Sequence, residues 1–206
     1  LQFEDKILKA IGICEDNIED NFNKNLQKEV RKSISKCNNI AILVQFSAKS
    51  MLVDAFWGGD EKAGVKEKED EAFKAFYASL KTITGCKFAK TDNKMLILCS
   101  DFEKVDSLLK YIDVSINRIR VTMSKKKWRL YGYTAVDVYD NSVSFKDDVY
   151  PTLEKLLTLK IHDEAICLGN FCMRYELVQE SAYEPILKGK YMIGDETEVW
   201  TLVKKN

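Results

Sequence analysis

The chain has 206 residues, with 32 Lys+Arg against 32 Asp+Glu and a single histidine, His162. That length supports one sizeable core and not two full domains, and the charge balance leaves no net field to recruit nucleic acid or an anionic membrane surface. No apolar run approaches the roughly 20 residues of a membrane span, and one histidine rules out most His-based metal sites and proton relays.

The six cysteines (Cys14, Cys37, Cys86, Cys99, Cys167 and Cys172) contain no C-x-x-C pair. Several sit in apolar runs, which reads as buried free thiols of a reducing compartment. The N-terminus has no signal-peptide pattern, so a cytoplasmic protein is expected. The opening Leu1 is what a fragment of a longer protein would show.

Residues 3–36 carry no proline and no loop cluster. Ile7, Ile11, Cys14, Ile18, Phe22, Leu26, Val30 and Ile34 recur in three- and four-residue steps, one helical stripe. Residues 1–37 are therefore read as a long helical segment that either packs on its own domain or dimerises, with the domain proper spanning 38–206. Residues 40–46 form an apolar, β-branched run expected to be a buried strand. A turn follows at 47–50, a helical turn or two at 51–57, and a polar loop at 58–68. Its Gly58-Gly59 lacks phosphate-loop spacing. Ala72, Phe73, Phe76, Tyr77 and Leu80 mark an amphipathic helix over 71–82.

The most informative stretch is 85–99. Two apolar runs, 86–89 and 95–99, flank Thr91-Asp92-Asn93-Lys94, a tight β-hairpin tip because Asp and Asn tolerate positive φ and bond their own backbone. The second arm has no polar alternation, which predicts a strand covered on both faces. Ser100 and Glu103 have capping-box spacing ahead of a helix through Val105, Leu108, Leu109, Ile112 and Val114 or Ile116. A strand is expected over 119–123, a polar turn at 124–127, and an antiparallel partner strand over 128–139, ending at Asp140-Asn141. Asp147-Asp148 precede a helix with Pro151 in its first turn and Leu153, Leu156 and Leu157 as its core residues. A strand at 165–168, a short helix at 170–177 and a strand pair, 186–192 and 198–203, around Gly194-Asp195 complete the chain.

This succession, with some local wording, resembles the catalytic domain of class III nucleotidyl (adenylate/guanylate) cyclases, as a divergent member. KFAKTDNKMLILC resembles the family's hairpin followed by an apolar strand. IAILVQFSAKS resembles its opening strand, ILKGKYMIGDETEVWTLV its closing turn and strands, and DEAICLGNFCMRYEL the strand and helix before them. The resemblance implies an α+β fold with a ferredoxin-like βαββαβ core sheet and helices on one face, preceded by the long N-terminal helix. It also implies head-to-tail pairing, as a homodimer or as a heterodimer with a related domain. A nucleoside triphosphate or cyclic nucleotide would be the ligand, with Mg²⁺ or Mn²⁺ required only if the domain is active.

Carried over residue by residue, the family's chemistry is largely missing. The first metal-binding aspartate falls at Ala48, between Ser47 and Lys49, where no carboxylate stands. The hairpin aspartate falls at Asn93, and a one-residue shift restores Asp92 as a metal ligand. The expected Asn-x-x-x-Arg helix has no arginine across 148–157, and Lys155 offers only a point charge there. One carboxylate cannot clamp two divalent cations. The resemblance thus implies an impaired domain that binds nucleotide through Ser47, Lys49, Lys90 and Asn93, with Asp92 the remaining metal candidate. The alternative is an active cyclase that converts a nucleoside triphosphate to a 3′,5′-cyclic nucleotide and pyrophosphate. Three further features have simpler readings. Lys125-Lys126-Lys127 beside Trp128 grips a phosphate or is a solvated turn, Asp147 and Asp148 bind metal or cap a helix, and His162 with Asp163 moves protons or sits in a loop.

Overall fold

Consecutive apolar residues at 40–44 leave both faces of one strand in need of cover, and the fold is built around that strand. A computed structural model of the chain describes residues 39–52, 64–91, 93–139, 144–175 and 181–206. The expected N-terminal helix, most of the helical turn at 51–57 and of the 58–68 loop, Asp92 and the Asp140-Asn141 turn lie outside the described residues. In chain order the elements are β1 (Asn39–Ser50), α1 (Val65–Leu80), β2 (Cys86–Thr91), β3 (Lys94–Cys99), a 3₁₀ turn (Phe102–Lys104), α2 (Val105–Lys125) and β4 (Trp128–Tyr139). They continue with a π-helical turn (Phe145–Val149), α3 (Tyr150–Thr158), β5 (Ala165–Leu168), α4 (Gly169–Tyr175), β6 (Tyr183–Ile193) and β7 (Asp195–Lys204).

The described strands form one seven-stranded sheet in the order β2-β3-β1-β4-β5-β7-β6. Its ladders are antiparallel except β4–β5, which is parallel. Ile40, Ile42, Val44 and Phe46 of β1 point to one face. There they meet Ala72, Phe73, Phe76 and Leu80 of α1, the apolar side of α2, and Phe171, Cys172 and Tyr175 of α4. Phe46 meets the Phe76 ring edge-on at 5.2 Å, the offset that aromatic quadrupoles favour. Ala41 and Leu43 point to the other face, against Leu153, Leu156 and Leu157 of α3. Helices thus cover both faces, which corrects the expected one-sided arrangement. A strand apolar at every position from 40 to 44 cannot leave either side to water.

Three local expectations also change. Residues 119–123 are the end of α2 and not a strand. Ile112, Ile116, Ile119 and Met123 are buried at helical spacing, while Val121, which a strand would place beside Ile119 and Met123, is 58% exposed. The 3.6-residue period overrides a short stretch of apparent alternation. Helix α1 begins at Val65, so residues 65–68, read as the end of the loop, are its first turn. The cap before α2 is Asp101 and not Ser100, since the Glu103 N–H donates to Asp101 Oδ1 at 3.1 Å. The acids before α3 do cap. The Asp147 N–H donates to Ser144 Oγ at 3.2 Å and the Ser144 N–H to Asp148 Oδ2 at 3.0 Å, a reciprocal arrangement that satisfies two orphan donors.

The lysine run after α2 is a helix terminus. The N–H groups of Lys126 and Lys127 donate to the Met123 and Ser124 carbonyls, each at 3.0 Å. Lys127 takes φ 64°, the left-handed position that ends many helices and is usually glycine. Cations in a last turn also suit the helix dipole. Lys127→Gly is therefore expected to raise stability by roughly 0.5–1 kcal/mol, read as a higher midpoint in denaturant at unchanged slope. A lower midpoint would contradict the backbone assignment.

Candidate functional site

Strands β1 and β3 lie side by side, with Val44 opposite Met95 and Gln45 opposite Lys94. Beyond that pair β1 runs on to Ser50 against β4 alone, placing Ser47 opposite Tyr131 and Lys49 opposite Arg129. The hairpin tip therefore sits next to the last third of β1, as expected for two segments that frame a site together. The pleat then sorts the side chains. Ser47 and Lys49 share the α3 face of the sheet. Ala48 points to the opposite face and is buried, and its N–H donates to Glu69 Oε1 of α1 at 3.2 Å. Lys90 also lies on that opposite face, with its ammonium 4.6 Å from the centre of the Phe73 ring. Asn93 stands at the tip, half-buried. The structure brings Ser47, Lys49 and Asn93 to one corner and puts Lys90 across the sheet from the first two.

On the α3 face the hairpin is tied down. Lys94 Nζ lies 2.8 Å from Glu154 Oε1 of α3, and both side chains are partly buried. Nothing in the local sequence signals a pair 60 positions apart; only the sheet register and the seating of α3 create it. Next to it stands an aromatic and titratable cluster. The Lys160 ammonium lies 4.7 Å from the Tyr133 ring centre, in cation–π range. The Tyr131 and His162 rings are 5.3 Å apart. His162 Nδ1 lies 2.7 Å from Asp163 Oδ2, whose other oxygen accepts from Arg120 at 2.5 Å. Burial pushes the Asp163 carboxyl up, but the bonds from His162 and Arg120 outweigh it and hold the group below the ordinary carboxylate range. Arg120 and Asp163 also edge a cleft of about 90 Å³ between α2 and strands β4, β5 and β7, floored by Ile112, Ile116 and Leu202.

Among the described residues, the donors at the tip do not fit a pair of divalent cations. Hard cations of this kind need several carboxylate, carbonyl or water oxygens. The described side chains there are a serine hydroxyl, an amide and two ammonium groups; Glu154 is already paired with Lys94, and Glu69, on the opposite face of the sheet, accepts from the Ala48 N–H. Among the described residues no group of three or more His, Cys, Asp or Glu could hold a metal ion. The same holds for Asp147 and Asp148, which serve the α3 cap.

A buried acid away from the tip was not foreseen. Asp137 of β4 is 6% exposed and lies where α4 starts directly after β5. Burial raises its carboxyl to about 6, against opposing contributions from the Val138 N–H, which donates at 2.8 Å, and from Arg174 and Asn170. Its one sequence signal is an acid set within the apolar run 135–139 of β4.

No family model matches this chain, and no curated protein sequence matches it. Solved structures do. The Silicibacter pomeroyi adenylate/guanylate cyclase/hydrolase superposes with a TM-score of 0.56 at 13% identity, covering 81% of this chain and 97% of that one. The adenylyl cyclase CyaB of P. aeruginosa gives 0.52 at 6% identity, covering 82% and 95%. The catalytic core of a rhodopsin-guanylyl cyclase with converted specificity, in complex with ATPαS, gives 0.51 at 7%, covering 82% and 98%. The chain has the fold of adenylyl and guanylyl cyclase catalytic domains over nearly their whole length. Among the described residues no helix is long and apolar enough to cross a membrane.

Proposed function

We propose that this cyclase-fold domain has lost two-metal cyclisation and serves as a nucleotide-binding, regulatory or dimerisation module. One observation supports the reading: among the described residues, Ala48 and Asn93 stand where the resemblance places the paired metal-binding acids, and the acid beside the hairpin, Glu154, is already paired with Lys94. In this reading β1–α1–β2–β3–α2–β4 is a ferredoxin-like core, and its partner is a second copy or a related domain. A triphosphate would be held electrostatically by Lys49 and by hydrogen bonds from Ser47 and Asn93, with Lys90 joining only by leaving the Phe73 ring. Ammonium groups bind phosphate as point charges and need no metal.

The purified chain incubated with ATP, GTP, CTP or UTP and Mg²⁺ or Mn²⁺ is expected to yield no cyclic nucleotide. In the same samples at least one nucleotide is expected to raise the unfolding temperature, since a ligand bound only by the native state stabilises it. Cyclic product would overturn the proposal in favour of an active cyclase that uses Asp92, and Asp92→Asn would then abolish turnover. Absence of both product and thermal shift would remove the nucleotide-binding role and leave the dimerisation role, read from the mass in solution.

A further inference from the structure

We infer that Cys86 and Cys99 are a reversible cross-strand disulfide pair that locks the base of the β2–β3 hairpin. The two residues are direct partners in the β2–β3 ladder. The ladder closes at Thr91 opposite Lys94, so only two residues form the loop, and the closing pair of such a hairpin exchanges both of its backbone hydrogen bonds. Pairs alternate from there, and five steps back Cys86 and Cys99 form a non-hydrogen-bonded pair. Such pairs have Cα atoms about 4.5 Å apart with side chains drawn together, within the roughly 4.4–6.8 Å that a disulfide spans. Both side chains lie on the same sheet face, against α1 and the 3₁₀ turn before α2. The two thiols already interact, and the Cys99 thiol also donates to the Asp101 carbonyl at 3.5 Å.

Access separates this pair from the second dithiol. Cys167 and Cys172 have sulfurs 3.5 Å apart, but both are fully buried, at the end of β5 and on α4. Cys86 is only half-buried, on the first residue of an edge strand, with the Lys104 ammonium nearby to favour its thiolate. Burial nevertheless raises the Cys86 thiol to about 11, so exchange is slow at neutral pH and speeds up as the thiolate forms.

With a small disulfide as oxidant, the Cys86 thiolate attacks one sulfur of glutathione disulfide, breaking that S–S bond and releasing one glutathione. Cys99 then gives up its proton to solvent and attacks the Cys86 sulfur, expelling the second glutathione. The protein loses two hydrogens in total and one glutathione disulfide becomes two glutathiones. Oxidation fixes β2 to β3 and so restrains the hairpin that carries Asn93; a dithiol reductant reverses it.

The test uses the full chain, treated natively with excess glutathione disulfide, quenched by alkylation and mapped by mass spectrometry. The expected result is a loss of two hydrogen masses, in peptides joined through Cys86 and Cys99, with the rate rising about tenfold per pH unit below the thiol's titration. Cys99→Ser should stop at a glutathione adduct on Cys86, and Cys167→Ser should leave the bridge intact. A stable glutathione adduct on Cys86 beside a free Cys99, two unmodified thiols, or a bridge at Cys167–Cys172 instead would each overturn the inference. None of these outcomes depends on whether the domain binds nucleotide.

Discussion

Phe171→Ala is expected to lower the unfolding free energy by about 3–5 kcal/mol, the cost of truncating a fully buried aromatic whose cavity cannot collapse. The site gives little room for relaxation. Phe171 has no exposed surface, and its ring is held between Phe102 at 5.7 Å and Tyr175, stacked at 5.9 Å. Phe102 enters α2 and Tyr175 ends α4, so the ring joins the β1–β4 half of the sheet to the half made of β5, β7 and β6. Tyr175 is itself anchored: its hydroxyl donates to Asp106 of α2, whose other oxygen accepts from the Ala182 N–H at 2.6 Å. One apolar cluster runs from Ile40 to Leu202 through this joint, so both halves should unfold in a single transition. Urea titration followed by tryptophan fluorescence and by circular dichroism checks both points. A loss under about 1 kcal/mol, or two separated transitions in the unaltered protein, would refute the account of the core.

Asp137→Asn is expected to stabilise the protein at neutral pH by up to about 2–3 kcal/mol, the free-energy equivalent of raising a carboxyl by about two pH units. Burial moves this group from its ordinary 3.8 to about 6. Between those values the folded state binds more protons than the unfolded chain, so stability falls as pH rises from about 4 to about 6 and the cost is complete above that. An amide in the same place has no charge to desolvate and can still accept from the Val138 N–H. The variant should therefore gain most above pH 6 and nothing below about 4. Stability curves measured across that range decide the matter. A loss of stability at neutral pH would mean that Arg174 and Asn170 more than offset the burial of the charge.

The elements were legible because their signals are local. The two-residue hairpin over 86–99, the apolar β1 and β3 strands, the α1 stripe through Phe73 and Phe76 and the closing β6–β7 pair all follow from side-chain period and turn chemistry over a few residues. The misreadings were local as well. Residues 119–123 are too few for their alternation to be told from a helical face, and the charged run 66–71 at the start of α1 carries no apolar period to mark it as helix.

By itself, then, the sequence determined most of the strands and helices and which of their faces are apolar. Only the tertiary structure decided that α3 covers the face opposite α1 and α2, that Lys94 is claimed by Glu154 and Lys90 by Phe73, and that Asp137 is shut away from water. The reason is range. Periodicity reports on neighbours within a turn or a pleat, whereas pairing and burial depend on sheet register and helix docking between residues dozens of positions apart.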